Sequence, residues 1–348
     1  MIKLTSRAGR TGLACLIFMY ASPAFVIDVE RPDVRQFVAT MVSKHSYDRE
    51  YLISVLDSAE VNPAILEAIS KPAEKMLSWG DYRQIFLTRE RIDAGADFWK
   101  EHADDLRRIS TETGVPCDIL VAIIGVETYF GRITGKHRVL DALTTLAFDY
   151  PPRSAFFLRE LEEFLLLVRE EQMTPTDATG SYAGAMGAPQ FMPSSFRAYA
   201  VDANADGKRD IWSDWQDVIG SIANYFVAHK WTSGRPVAVS AALGAKWQGP
   251  VPDNTLSANE TVASLKDMGV QFATDLAGDQ KGQLLTFDGK DGDEHWVGFQ
   301  NFFVITRYNH SPMYALSVYQ LGQEIAAEVA HRNLDSTVGV AGASAATE

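Results

Sequence analysis

Pro116-Cys117-Asp118-Ile119-Leu120-Val121-Ala122-Ile123-Ile124-Gly125-Val126-Glu127-Thr128-Tyr129-Phe130 is an almost unbroken apolar run with one acid near its far end. It reads as a helix. Pro116 suits a first-turn position, Asp118 complements the positive end of the helix dipole, and only Gly125 weakens the pattern before Gly131. At helical spacing Leu120, Ile123, Ile124 and Phe130 share a face with Glu127. A carboxylate on such a face is costly to ionise. A neutral carboxylic acid set in an apolar wall is what proton donation to a glycosidic oxygen requires.

The chain around this helix is long enough, at 348 residues, to bury one large core or two smaller ones. Its first residues read as a secretory signal over 1–24. Lys3, Arg7 and Arg10 form a basic start, Leu13 to Ala21 a short apolar stretch, and Ser22-Pro23-Ala24 a small-residue cleavage site. Loss of that leader removes three positive charges and no acid, taking the formal charge from −13 to −16. Such an acidic chain is a poor partner for nucleic acid or an anionic membrane surface, and a neutral ligand held by short-range contacts fits it better. Cys117 is then the only cysteine, which excludes an intramolecular disulfide in an oxidising compartment. A lone thiol at the start of an apolar helix reads as a small core residue.

Residues 31–110 read as helical, with apolar sets Phe37/Met41/Val42, Leu52/Val55/Leu56 and Ile65/Leu66/Ile69, and with Pro32, Pro63 and Pro72 as punctuation. Trp79 to Arg83 reads as helix packing. Ser154 is expected to cap a helix to Glu171, and the Ser213/Gln216 pair to open one running to Trp231. Over 236–300 the pattern changes to short strands, at Val237–Val239 and Leu284–Phe287, with a short helix at Val262–Met268. Asn301–Tyr308 reads as extended. Ser311-Pro312 begins a last helix through Val329, and the small polar tail 333–348 reads as disordered.

Downstream of Glu127 lies Gly180-Ser181-Tyr182-Ala183-Gly184-Ala185-Met186-Gly187-Ala188-Pro189-Gln190-Phe191-Met192-Pro193-Ser194-Ser195. Its glycines allow a backbone to approach a ligand closely. Ser181 and Gln190 offer hydrogen bonds to sugar hydroxyls or N-acetyl groups. Tyr182, Met186 and Phe191 offer flat or soft apolar surface for pyranose C–H faces.

Together these segments resemble the lytic murein transglycosylases of the membrane-bound B family, a lysozyme-like group. The resemblance is carried by Ile124-Gly125-Val126-Glu127-Thr128, by the run Gly180–Ser195, by Ile219-Gly220-Ser221-Ile222-Ala223-Asn224-Tyr225-Phe226 and by Arg307-Tyr308-Asn309-His310-Ser311-Pro312-Met313-Tyr314-Ala315. Arg91-Ile92, Gly95 and Phe98-Trp99 add to it, and it covers about residues 30–330. It implies that Glu127 is the catalytic acid and base. It implies a cleft lined by Ser181, Gln190, Tyr225, Tyr308, Asn309 and Tyr314 and bordered by Tyr182, Met186 and Phe191. Pro189 departs from the pattern, since glycine stands there in the best-known member and proline has no N–H to donate.

The resemblance also suggests a structural calcium site. Asp202, Asn204, Asp206 and Asp210 fall at EF-hand positions one, three, five and nine, Gly207 at the turn and Lys208 at the carbonyl position. Position twelve is Ser213, so a later acid is needed; Asp217 is the best match and Asp214 the alternative.

The fold expected is mainly α, of the α+β type. A helical accessory region (25–100) precedes a lysozyme-like catalytic core (101–235 with 300–330), and a small α/β insertion (236–299) and a disordered tail (331–348) complete it. The expected activity is cleavage of the β-1,4 bond between N-acetylmuramic acid and N-acetylglucosamine in peptidoglycan glycan strands, with a 1,6-anhydro product, in the periplasm and with no cofactor needed for the chemistry. One carboxylate is conspicuous where hydrolases use two; Asp141 and Asp149 lack comparable apolar neighbours and read as structural. The alternatives are a hydrolytic muramidase, a non-catalytic peptidoglycan-binding protein and a calcium-dependent sugar-binding module.

Overall fold

The structure is a computed structural model that describes residues 25–70, 77–248, 250–251 and 253–344, with backbone alone for Phe25 and 334–344. The expected leader (1–24) and Pro72 lie outside the described residues. A short strand β1 (Phe25–Val26) leads into α1 (Pro32–His45) and α2 (Arg49–Asp57). β2 (Glu60–Val61) pairs antiparallel with β1, and α3 (Pro63–Ser70) follows. Pro32 and Pro63 each begin a helix, where a missing N–H costs nothing. Next come α4 (Trp79–Phe86), α5 (Arg89–Glu101) and α6 (Ala103–Thr113). Ser78 and Thr88 cap α4 and α5 by accepting the amides of Asp81 and Arg91. Trp79 and Tyr82 are buried, as helix packing requires.

The apolar run forms α7 (Cys117–Thr128), with Ile119 to Gly125 all buried. Cys117 is half-buried; its thiol faces the Leu106 carbonyl and burial pushes its pKa up, as suits an inert core residue. The chain then makes β3 (His137–Arg138), α8 (Val139–Asp149), α9 (Ser154–Glu170) and β4 (Thr179–Gly180), with β4 paired to β3. α10 (Pro193–Tyr199) and α11 (Trp215–Ala228) complete this part.

A five-stranded antiparallel sheet follows, built from β5 (Ala238–Leu243), β6 (Glu260–Thr261), β7 (Val270–Gln271), β8 (Lys281–Gly289) and β9 (Gly292–Gly298) in the order β6-β8-β9-β5-β7. The short helix α12 (Val262–Asp267) packs on it through Val262 and Leu265. α13 (Gln300–Tyr308) and α14 (Pro312–Ser344) return the chain to α7. Glycines set that contact: a Cβ at Gly322 would lie 2.9 Å from the Asp118 carbonyl oxygen, and one at Gly125 3.3 Å from the Leu321 side chain.

Several local expectations are corrected. Asn301–Tyr308 is helical rather than extended, because Phe302, Phe303, Val304 and Ile305 are all buried and leave no alternating exposed face. α14 runs to Ser344, past Val329 and through most of the segment read as a disordered tail; once a helix is nucleated, each added residue contributes a bond. Ser154 does not cap α9. Its hydroxyl bonds the Ala147 carbonyl, and a 3-10 turn at Pro151–Arg153 leads into the helix. α11 is capped by Asp214, which accepts the amides of Gln216 and Asp217, while Ser213 turns to Asp210.

The buried apolar residues form three clusters. The first joins α7, α11, α13 and α14, the second joins α1, α2, α8 and α9, and the third lies under the sheet. Tyr308 packs against both of the first two, so the end of α13 marks their seam.

Candidate active site

Glu127 occupies the last turn of α7 and is half-buried. The helix ends at Thr128, and the three residues after it all have left-handed backbones: Tyr129 (φ 51°), Phe130 (φ 58°) and Gly131 (φ 77°). Two non-glycine residues in this region cost on the order of 1–3 kcal/mol each. The turn persists because its side chains are held. Phe130 is buried and stacks on Phe98 at 5.6 Å, while the Tyr129 ring lies between the guanidinium groups of Arg91 and Arg132, each 4.8 Å from its centre. Arg91 also donates to the Gly125 carbonyl at 3.1 Å. Burial lowers its pKa, with the Tyr129 phenol opposing.

The carboxyl group of Glu127 accepts a 2.5 Å hydrogen bond from the Tyr314 hydroxyl. Tyr314 sits in the first turn of α14, whose start is fixed by Ser311 Oγ accepting the Tyr314 amide. Its pKa is raised far above the usual phenol value, first by burial and then by the negative charge of Glu127. Tyr308 is raised for the same two reasons, and its hydroxyl donates to the Pro189 carbonyl at 2.6 Å. Both phenols therefore remain hydrogen-bond donors through any working pH. The family departure at Pro189 costs no observed contact, because its carbonyl is what this loop uses.

The glycine-rich segment is drawn to the same place. Thr128, buried beside Glu127, donates to the Ala188 carbonyl at 3.1 Å and accepts the Gly131 amide at 3.1 Å. Ser181 Oγ accepts the amides of Ala183 and Ala185, which leaves its hydroxyl proton free to donate. Gln190 directs its amide nitrogen to the carbonyls of Thr134 and Gly187, so it braces the loop and offers only its oxygen outward. Tyr182 is exposed (39%) and its ring lines a cavity of about 440 Å³ beside the turn. Asn309 ends α13 with an extended backbone, and its side-chain amide has no protein partner among the described residues.

Three expected cleft residues stand differently. Met186 (0%) and Phe191 (2%) are buried among core residues. Residue type suggested a stacking surface; the β-bridge between these two residues turns both inward. Tyr225 is also buried, with its hydroxyl on the Arg307 carbonyl at 2.6 Å and burial pushing its pKa up. Phe191 and Tyr225 back the Tyr308 ring at 5.8 and 4.9 Å. They support Tyr308 from the core side. Thr128, Arg91 and Tyr129 were not singled out as site residues, although the Glu-Thr pair and Arg91 stand in the matched motifs. Asp141 accepts the Glu60 amide and Asp149 pairs with Arg31, so both are structural.

The Asx-rich loop has oxygen donors of the type calcium takes. Asp202 accepts the amides of Asp206 and Gly207, Asn204 that of Asp206, and Asp206 that of Lys208, with Gly207 at φ 89°. Asp217 is buried and spends one oxygen on the Ala203 amide (2.7 Å) and the other on the Asp210 amide (2.8 Å). Burial raises its pKa, against those two hydrogen bonds. Through these two bonds it clasps the two ends of the loop together. Asp214 is equally committed, as a helix cap and to the Asn204 amide. Among the described residues no three acidic, histidine or cysteine side chains converge as a metal-ligand set.

Comparison with known proteins agrees with this geometry. Residues 30–323 match the model of the transglycosylase SLT domain. The chain is 42% identical over 304 residues to membrane-bound lytic murein transglycosylase B of Escherichia coli, covering 85% of this chain and 83% of that protein. The catenated lytic transglycosylase SltB1 of Pseudomonas aeruginosa superimposes with a TM-score of 0.80 at 49% identity, over 86% of this chain and 98% of that one. The E. coli lytic transglycosylase Slt35, solved in complex with calcium, gives 0.80 at 41%, over 88% and 97%. SltB3 of P. aeruginosa, solved with NAG-anhNAM-pentapeptide, gives 0.71 at 28%, over 84% and 78%. The chain therefore belongs to the membrane-bound lytic murein transglycosylase B family, within the transglycosylase SLT domain group of enzymes, and has the lysozyme-like, mainly helical fold of its relatives.

Proposed function

We propose that this enzyme cleaves the β-1,4 bond between N-acetylmuramic acid and N-acetylglucosamine in peptidoglycan strands, with Glu127 acting first as acid and then as base. Glu127 donates its proton to the glycosidic oxygen as the bond to muramic C1 breaks. The muramic N-acetyl carbonyl oxygen bonds to C1 and holds the positive charge. The Glu127 carboxylate then takes the proton of the muramic C6 hydroxyl, O6 bonds to C1, and the N-acetyl oxygen is released. The product is 1,6-anhydro, no water is consumed, and Glu127 ends protonated as it began.

The observation that carries this reading is the Tyr314–Glu127 hydrogen bond at the half-buried end of α7, beside the Gly180–Phe191 loop. A second carboxylate is unnecessary when the attacking hydroxyl belongs to the substrate. Intramolecular attack in a well-oriented complex supplies roughly 7–11 kcal/mol through effective molarity. Ser181, Tyr182, Asn309 and the Gln190 oxygen would hold the sugar, with Tyr308 and Tyr314 as the wall behind Glu127. Calcium at Asp202, Asn204, Asp206 and the Lys208 carbonyl would fix the loop and take no part in the chemistry. The compartment proposed is the periplasm, reached through the 1–24 leader. Among the described residues no single helix is long and apolar enough to cross a membrane.

Glu127→Gln tests the assignment. Release of soluble fragments from purified sacculi is expected to fall by about 10²–10⁴-fold, the usual contribution of a general acid or base, with the melting temperature kept. Wild-type turnover in that variant overturns the role of Glu127.

A further inference from the structure

A second hollow, of about 400 Å³, lies where α14 and α4 face strands β5 and β9. Trp296, Tyr319, Gln320, Gln323 and Glu324 are part of its lining. It stands apart from the catalytic carboxyl. Gln323 donates to Asp118 at 3.1 Å, at the start of α7, whereas Glu127 is in the last turn of that helix. The two positions are separated by about 14 Å of helix rise. The hollow adjoins two others. It shares Arg83 with one of about 540 Å³ beside the β8–β9 turn, and Val239 with one of about 650 Å³ beside Asp275. Each has the usual volume of a small-molecule site, and a row of them suits a chain-like ligand.

The middle hollow holds polar groups that the fold leaves unspent. The Trp296 and Tyr319 rings meet near a right angle (86°), with centres 6.5 Å apart, and both are only partly buried. Neither the indole N–H nor the phenol hydroxyl has a hydrogen-bond partner among the described residues. Gln320 Oε1 is buried and also has none there. A buried acceptor without a donor is costly, and a ligand N–H or O–H removes that cost. Glu324 is exposed and has no cationic partner among the described residues, while Arg83, the cation of the wall, is already paired with Glu294 at 3.1 Å. The unpaired charge is therefore negative, which disfavours an anionic ligand. Neutral N-acetylated pyranoses meet each demand: C–H faces for the two rings, an amide N–H for Gln320 and hydroxyl donors for Glu324.

We propose that this trough is a second glycan-binding site, which holds N-acetylhexosamine units of a peptidoglycan strand while Glu127 acts on another stretch. The inference rests on the muramyl-cleaving role of Glu127. Two footholds on one polymer raise the effective concentration of each for the other. The site therefore lowers KM on polymeric substrate and leaves kcat unchanged.

Co-sedimentation in a Glu127→Gln background, where the polymer stays uncut, tests it with two probes: purified sacculi and chitin, a peptide-free polymer of N-acetylglucosamine. Trp296→Ala and Gln320→Leu are each expected to weaken binding to both polymers roughly threefold to tenfold, the scale of one aromatic or hydrogen-bonding contact. With Glu127 intact, the same substitutions are expected to raise KM on sacculi. On a soluble muramyl tetrasaccharide, whose few sugars serve one site at a time, kcat/KM is expected to change less than about twofold. Gln320→Leu removes the acceptor with little change of volume, so it carries the test if Trp296→Ala fails to fold. Unchanged binding to both polymers overturns the site. Loss on sacculi with chitin unaffected assigns the trough to the peptide and overturns the glycan reading. A parallel fall on the tetrasaccharide merges the trough with the catalytic cleft and overturns its independence. A wild type that cleaves neither substrate refutes the muramyl-cleaving reading, and co-sedimentation then judges the trough by itself.

Discussion

The Tyr314 hydroxyl gives Glu127 a fixed direction at the end of its helix. Tyr314→Phe keeps the ring in the core and removes only that bond. Hydrogen bonds to charged or charge-forming groups are worth about 1.5–3 kcal/mol, so kcat on sacculi is expected to fall roughly tenfold to a hundredfold with KM near its original value. An unchanged kcat would show that the hydroxyl does not position the acid. Glu127 was legible in the sequence because an acid on an apolar helical face breaks an otherwise clear pattern. Tyr308 and Tyr314 came through the family motif alone; nothing in their local spacing marks them. Met186 and Phe191 were misplaced because an apolar side chain that stacks on sugar and one that fills a core look identical in sequence. Which side of a glycine-rich turn faces inward is decided by the bridge between them, a tertiary contact.

A buried acid holds one of the helices beside the site at its start. Glu160 on α9 accepts both the amide and the hydroxyl of Ser194 at the start of α10, which follows directly on the glycine-rich loop. Burial raises its pKa above the ordinary glutamate value of 4.5, against those hydrogen bonds. Between 4.5 and the raised value the folded chain holds more protons than the unfolded chain, so this group makes stability fall as pH rises through that window. Urea unfolding at pH 5 and pH 7 is expected to show wild type losing stability relative to Glu160→Gln, by at most about 1.4 kcal/mol per pH unit for this single group. Parallel pH profiles for the two proteins would remove Glu160 as the cause. The Asx-rich loop gives a second prediction. If it takes calcium, calcium at tenfold its Kd adds about 1.4 kcal/mol of stability. The melting temperature is then expected to rise in millimolar calcium, and Asp206→Ala to abolish the rise. No rise in wild type would leave the loop as an Asx turn clasped by Asp217. Element type was legible where an apolar run was long and carried a start signal, as in α7 behind Pro116. It failed at α13, a nine-residue helix whose short buried run reads equally well as a strand, and at the start of α11, where two acceptable cap residues stand next to each other.

At the scale of the whole molecule, the site lies along the seam of two apolar clusters, with Tyr308 packed against both. The mainly helical class and the short-strand character of 236–300 could be read from pattern changes along the chain. The seam could not, because it is made by α13 and α14 returning to α7 from the far end of the sequence. That return brings Tyr314 to Glu127 across nearly two hundred positions. It also underlies the central proposal, that a single carboxyl group serves as acid and base because the substrate supplies its own nucleophile. Mass analysis of the fragments that the wild-type enzyme releases from purified sacculi tests this most directly. The account predicts muropeptides ending in 1,6-anhydro-N-acetylmuramic acid, with no added water; products heavier by one water, with reducing muramic ends, would contradict it.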